Sequence, residues 1–142
     1  MSVRTGDRSQ GKLKVLDYAM KLCVHTLQLC KNEGLFPKSQ RWLLTQKIAN
    51  EATEALRCIR HANATLVDGV DIHERHKYRS NEQMQAHAHL SALYALIDIT
   101  YNLNSTIDSD RIEYWTKLVR DTDELLKAWI RSDNKAYQDK IK

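Results

Sequence analysis

With 142 residues, the chain has the length of one domain and enough mass to bury a single core. Its 4 Gly and 1 Pro are too few for a protein built from many strands and turns, which leaves an all-α protein as the expected class. The formal net charge of +4 permits an acidic partner without requiring one.

Charge is concentrated at the ends. Arg4, Arg8, Lys12 and Lys14 stand against Asp7 in the first fourteen residues, and Lys127, Arg131, Lys135, Lys140 and Lys142 against Asp133 and Asp139 in the last sixteen. Residues 1–11 and 132–142 therefore read as basic tails, suited either to holding an acidic partner or simply to solubility. Met1 to Arg8 is too polar for a secretory signal, and no apolar run approaches the ~20 residues of a membrane span. Cys23, Cys30 and Cys58 are odd in number and sit inside helical patterns, so free thiols in a reducing, cytoplasmic setting are expected.

The first helix is expected over about 12–32. Leu13, Leu16, Met20, Cys23, Val24, Leu27 and Cys30 follow three-four spacing. Asn32, Glu33 and Gly34 end it, with Gly34 suited to a left-handed position. Pro37 biases Phe36 away from helix, and Ser39 is the expected N-cap of the next segment. Arg41 then falls in a first turn, where a cation opposes the helix dipole. That misfit is consistent with a binding task and equally with a solvated surface.

A second helix is expected over about 40–66, with Leu44, Ile48, Ala52, Ala55, Leu56, Ile59, Ala62 and Leu66 as its apolar stripe. Glu54 and Arg57 are placed for an i,i+3 pair. Residues 67–79 read as a polar, cationic loop begun by the Asp68-Gly69 turn. At about 13 residues that loop is long for a helix connection.

Ser80 to Gln83 has the form of a capping box opening a third helix over about 80–104. Its apolar residues are Met84, Ala88, Leu90, Leu93, Tyr94, Leu96, Ile97 and Tyr101. A fourth helix over about 108–131 starts near Asp108 and Asp110, ends near Lys127 and Arg131, and buries Ile112, Trp115, Leu118, Val119, Leu125, Leu126, Trp129 and Ile130. Four such helices joined in sequence predict an antiparallel, up-down-up-down four-helix bundle over 12–131. Its wide apolar faces also point to self-association.

Catalytic patterns are weak. His73 and His76 sit in the expected loop, while His87 and His89 are two apart on a helix and point to different faces, so solvated or packed histidines are expected. Asp121, Asp123 and Glu124 lie beside Lys117, Arg120 and Lys127 as ordinary helix-surface pairs. With no phosphate loop and no nucleophile motif, neither an enzyme, a metal nor a cofactor is expected. The long helices do not suit a DNA-binding recognition helix after a tight turn. The cations carry more: Lys38, Arg41, Arg57, Arg60, Lys77 and Arg79, assisted by Arg131 and Lys135, are the expected nucleic-acid-binding residues, with Tyr78 among them available for stacking.

Leu35-Phe36-Pro37-Lys38-Ser39-Gln40-Arg41-Trp42-Leu43-Leu44, the Ala/Leu-rich third helix running into a short break, and Asp123-Glu124-Leu125-Leu126-Lys127-Ala128-Trp129-Ile130-Arg131 together resemble a known family. It is that of the accessory variability determinant (Avd) proteins of diversity-generating retroelements, within a wider four-helix-bundle group that includes proteins of 23S ribosomal RNA intervening sequences. The resemblance covers roughly residues 13–132. It implies a non-catalytic homopentamer that binds a reverse transcriptase and its template RNA and supports mutagenic cDNA synthesis. Lys38 and Arg41 match the family's junction cations, and Trp129 its late tryptophan. The loop 67–79 and the modest net charge depart from the family pattern. The rival expectation is a structural oligomer of the intervening-sequence type, with no reverse-transcriptase partner.

Overall fold

The computed structural model describes the backbone of residues 3–104 and 106–142 and the side chains from Lys14 onward, Ser105 excepted. Four long helices are present: α1 (Val3–Cys30), α2 (Gln46–Ala64), α3 (Ile72–Leu103) and α4 (Ser109–Ile141), with no strand among the described residues. Each helix packs on two neighbours, α1 and α3 both lying against α2 and α4. The core between them contains Leu22, Ile48, Ile59, Leu90, Leu93, Ile97, Trp115 and Leu126, each at most 1% exposed. No described helix is long and apolar enough to cross a membrane.

On α1 the buried face is Val15, Ala19, Leu22, Cys23 and Thr26, whereas Met20, Val24 and Leu27 of the expected stripe are exposed. Apolar residues cover more than one sector of this helix, so spacing alone leaves two faces open and packing selects one. The helix ends at Cys30, and the Asn32 side chain accepts a hydrogen bond from the Gly34 N–H at 2.9 Å. Gly34 does not adopt the left-handed backbone expected of it; among the described residues only Gly69 does, at φ 83°. The Asn32 turn closes the helix end by another route, with the Phe36 N–H reaching the Asn32 carbonyl at 2.8 Å. Phe36 is thereby driven into the core, edge-on to Trp115 at 6.2 Å.

Ser39 lies inside a short 3-10 turn, Lys38–Gln40, and makes no capping bond. A wide π turn follows over Arg41–Thr45, closed by the Gln46 N–H on the Arg41 carbonyl. This widened segment, rather than an N-cap, starts α2. Along α2 the expected stripe is buried from Leu44 to Ala62, joined by Cys58, except that Leu56 is half-buried, and Leu66 is exposed past the helix end.

The Asp68-Gly69 turn is present, with the Gly69 N–H bonded to Asp68 Oδ1 at 3.0 Å. The loop expected over 67–79, however, is mostly helix. α3 begins at Ile72, eight residues before the capping-box sequence at Ser80. Long-range contacts override the local signal. Gln83, the would-be capping residue, is 1% exposed and donates to Asp133 Oδ2 at 2.7 Å.

Asp108 caps α4 as expected, accepting from the Asp110 N–H at 3.1 Å. The helix then runs through the expected tail 132–142 to Ile141. Its last turns are held by Asp133 against Arg79, by Tyr137 against His73 and His76, and by Lys140, whose Nζ reaches the Val67 carbonyl at 2.6 Å. At the other end, α1 includes residues 3–11, where a tail was expected; Met1, Ser2 and the side chains of Arg4, Arg8 and Lys12 lie outside the described residues.

All three cysteines are free, Cys23 and Cys58 buried and Cys30 half-buried. Burial pushes both Cys30 and Cys58 from the ordinary 9.0 up to about 11, with Glu82 adding to the effect at Cys58. A raised folded-state value leaves stability unchanged below about pH 9 and removes it as pH rises from about 9 toward 11, because the unfolded chain releases these protons first. Cys58 is expected to react with a disulfide reagent at pH 8 at least about a hundredfold more slowly in the folded chain than in denaturant, as followed by thiol release; equal rates would contradict its burial.

Candidate nucleic-acid interface

Two separate cationic regions are present. The first is the α1–α2 junction. Phe36 and Leu44 are both buried and anchor the segment at two points, and between them all but the half-buried Pro37 and Gln40 face outward. Lys38 and Arg41 are exposed, and Trp42 and Leu43 are each 75% exposed. Lys38 approaches the Glu33 carboxylate only to 3.9 Å with both side chains solvated, which contributes about 0–1 kcal/mol and leaves the cation available. Two cations beside an open indole ring can pair with phosphates and stack on a base. The sequence located the cations; the exposure of Trp42 follows from the π turn and carries no marker in the sequence.

The second region lies where α2 ends, α3 begins and α4 ends. Arg57 and Arg60 are exposed on α2, Lys77 on α3, and Arg131 and Lys135 on α4. Arg57 makes the expected pair with Glu54, at 2.9 and 3.1 Å. That hydrogen bonding raises the Arg57 pKa and lowers that of Glu54, so much of the Arg57 charge is already answered. Arg60, Lys77, Arg131 and Lys135 have no ion-pair partner among the described residues. The junction cations are not brought to this region: the stretch of α2 from Gln46 to Arg57 alone separates them by roughly 17 Å.

Arg79 must be removed from the set. It is 4% exposed, and its guanidinium meets Asp133 at 2.5 and 2.9 Å and the Thr65 carbonyl at 2.9 Å. Its Cζ lies over the Trp129 ring, 5.1 Å from the ring centroid. All three of its nitrogens donate within the protein and the group is buried, so it ties α3 to the end of α2 and to α4 and is not open to phosphate. The partner that claims it is 54 residues away in the sequence.

Four histidines on α3 contact side chains of neighbouring helices. His73 hydrogen-bonds the Tyr137 hydroxyl, and His76 stacks on the same ring at 3.8 Å. His87 Nδ1 lies 2.7 Å from Asp123, and His89 Nδ1 lies 2.7 Å from Glu51, each joining α3 to a neighbour. Among the described residues no three His, Cys, Asp or Glu side chains are placed to share a metal ion. Tyr78 is exposed beside Lys77, as a stacking role requires.

One cationic face was missed from the sequence. Arg120, Lys127, Arg131 and Lys135 are exposed and fall at i, i+7, i+11 and i+15 on α4, which places them along one side of the helix for about 22 Å. In the sequence Arg120 stands among local pairs and Lys127 also at the expected helix end, and neither is marked as a binding residue. Lys117 does pair with Asp121 at 2.6 Å and Lys127 with Asp123 at 3.4 Å, but no carboxylate pairs with Arg120 among the described residues. Comparison with protein-family models, with curated proteins and with solved structures yields no match for this chain.

Proposed function

We propose that this chain is a non-catalytic nucleic-acid-binding accessory subunit, one that binds a reverse transcriptase and its template RNA in the manner of the Avd proteins it resembles. The observation that carries the reading is the junction: Lys38, Arg41 and a 75% exposed Trp42 stand together on a segment anchored by buried Phe36 and Leu44. The proposal includes an antiparallel, up-down-up-down bundle. Arg79 pairs with Asp133 while His87 pairs with Asp123, so residue numbers rise along α3 as they fall along α4. It also includes a cytoplasmic homopentamer, in which five copies of a +4 chain would carry about +20 and draw RNA over a Debye length.

Reversing Lys38 and Arg41 to Glu is expected to weaken binding of a structured RNA about tenfold or more at low salt and to flatten the salt dependence by about 1–2 units of slope, with helical circular dichroism unchanged. RNA affinity equal to that of the unaltered chain would remove the junction from the interface. A structural oligomer of the intervening-sequence type is the second reading. It is favoured by the exposed Met20, Val24 and Leu27 on one face of α1, a stripe that a second copy would cover. Purification from the native host separates the two: a co-purifying reverse transcriptase with one RNA supports the first, and an RNA-free homo-oligomer the second.

A further inference from the structure

Between α3 and α4 runs a groove of about 290 Å³ lined by His87, Leu90, Ser91 and Tyr94 from one helix and by Val119, Arg120, Asp123 and Lys127 from the other. The geometry points to this groove as a seat for one unpaired nucleotide of a single-stranded RNA, its base between the helices and its flanking phosphates on Arg120 and Lys127. The inference rests on the proposed nucleic-acid role and adds a site, a strand state and residues to it.

The size of the groove sets the class of occupant. It lies near the lower limit of ligand sites, which run from ~300 to 1,000 Å³, so it suits one base and is too small for a duplex edge or a packed helix. Leu90 and Val119 close the floor, at 1% and 2% exposed. Tyr94 supplies an aromatic wall, and the Ser91 hydroxyl and the imidazole of His87 supply hydrogen-bonding groups of the kind that meet base edges.

Charge sets the rest. The only carboxylate in the lining, Asp123, has one oxygen on His87 Nδ1 at 2.7 Å and the other 3.4 Å from Lys127 Nζ, so its repulsion toward an anion is offset at the expense of part of the Lys127 charge, and Arg120 is the lining's unshared cation. Arg120 is exposed and has no carboxylate partner among the described residues. Arg120 and Lys127 both line the groove and are two turns apart along α4, about 10 Å. Beyond Lys127 the cationic side of α4 continues through Arg131 to Lys135, which gives the strand a path out of the groove along charges of one sign.

The test uses the full chain with a labelled ten-nucleotide single-stranded RNA and a duplex of the same length, read by fluorescence anisotropy. Ser91→Trp fills the groove from an exposed position without altering charge, and Arg120→Ala removes one phosphate contact. Ser91→Trp is expected to weaken single-strand binding about tenfold, the scale of one lost stacking partner, while duplex binding stays within about twofold. Arg120→Ala is expected to lower the single-strand salt slope by about 0.7. Unchanged single-strand binding by Ser91→Trp, or an equal loss for single strand and duplex, overturns the groove while leaving the proposed function standing. An unaltered chain that binds neither RNA overturns both.

Discussion

Replacing Arg79 with alanine is expected to destabilise the protein by about 3–5 kcal/mol, seen as a fall in the urea midpoint. The magnitude follows from what remains behind. Asp133, with its side chain only 15% exposed, would keep a negative charge answered by Gln83 alone, and the Thr65 carbonyl would lose its donor. The ring of Trp129 would lose the cation beside it as well. Arg79→Lys keeps the charge but cannot make the paired contacts at 2.5 and 2.9 Å, and a loss of about half that size is expected. Combining Arg79→Met with Asp133→Leu removes both charges together and should cost less than either change alone. A loss below about 1 kcal/mol for Arg79→Ala would mean that the pair behaves as a solvated one.

Trp115→Ala is expected to cost a similar ~3–5 kcal/mol, by a different route. Trp115 is 1% exposed and fills the space beside Phe36, Leu29, Leu35, Thr100 and Ile112. Its Nε1 donates to the Thr26 hydroxyl at 3.0 Å, and Thr26 is fully buried. Truncation would leave a cavity and an unpaired hydroxyl together. Trp115→Phe keeps most of the ring and should cost about 1–3 kcal/mol, reflecting the stranded Thr26. The two effects separate in a cycle with Thr26→Val, where the double variant should lose less than the sum of its parts. Tryptophan emission checks the placement: Trp115→Ala should remove a blue-shifted component, whereas Trp42→Ala should remove a red-shifted one. The reverse pattern would contradict the burial of Trp115.

Much of this fold is legible in the chain. Apolar spacing and the scarcity of Gly and Pro give four helices, Asp108 marks the start of α4, and the Asp68-Gly69 pair marks its turn. Failures cluster where distant residues outvote neighbours. Ser80 to Gln83 has the form of a helix start, yet Arg79 and Gln83 both reach Asp133, and the helix continues eight residues upstream. The chain past Arg131 has the composition of a tail, yet Tyr137 and Lys140 meet the start of α3 and the turn before it. On α1 two apolar stripes compete, and no local rule distinguishes Val15 and Leu22 from Met20 and Val24.

The candidate site divides in the same way. Residue type and spacing identify Lys38, Arg41, Arg60, Lys77, Arg131 and Lys135 as exposed cations, because a charge without a partner stays in water. They do not identify Arg79 as buried, since its partner is far along the chain. Nor do they find the α3–α4 groove, which exists only once Tyr94 and Arg120 are on facing helices.

The π turn at Arg41–Thr45 acts as a phase shifter. Each residue of a regular helix advances the chain by about 100°, and a turn closed from Arg41 to Gln46 accommodates one residue more than a regular turn. The direction in which the junction's cations and indole face is thus a matter of winding, while Leu44 and Ile48 keep α2 geared to the core. Gaining or losing a single residue here would turn the junction like a dial against a fixed helix, re-aiming its surface without repacking the interior.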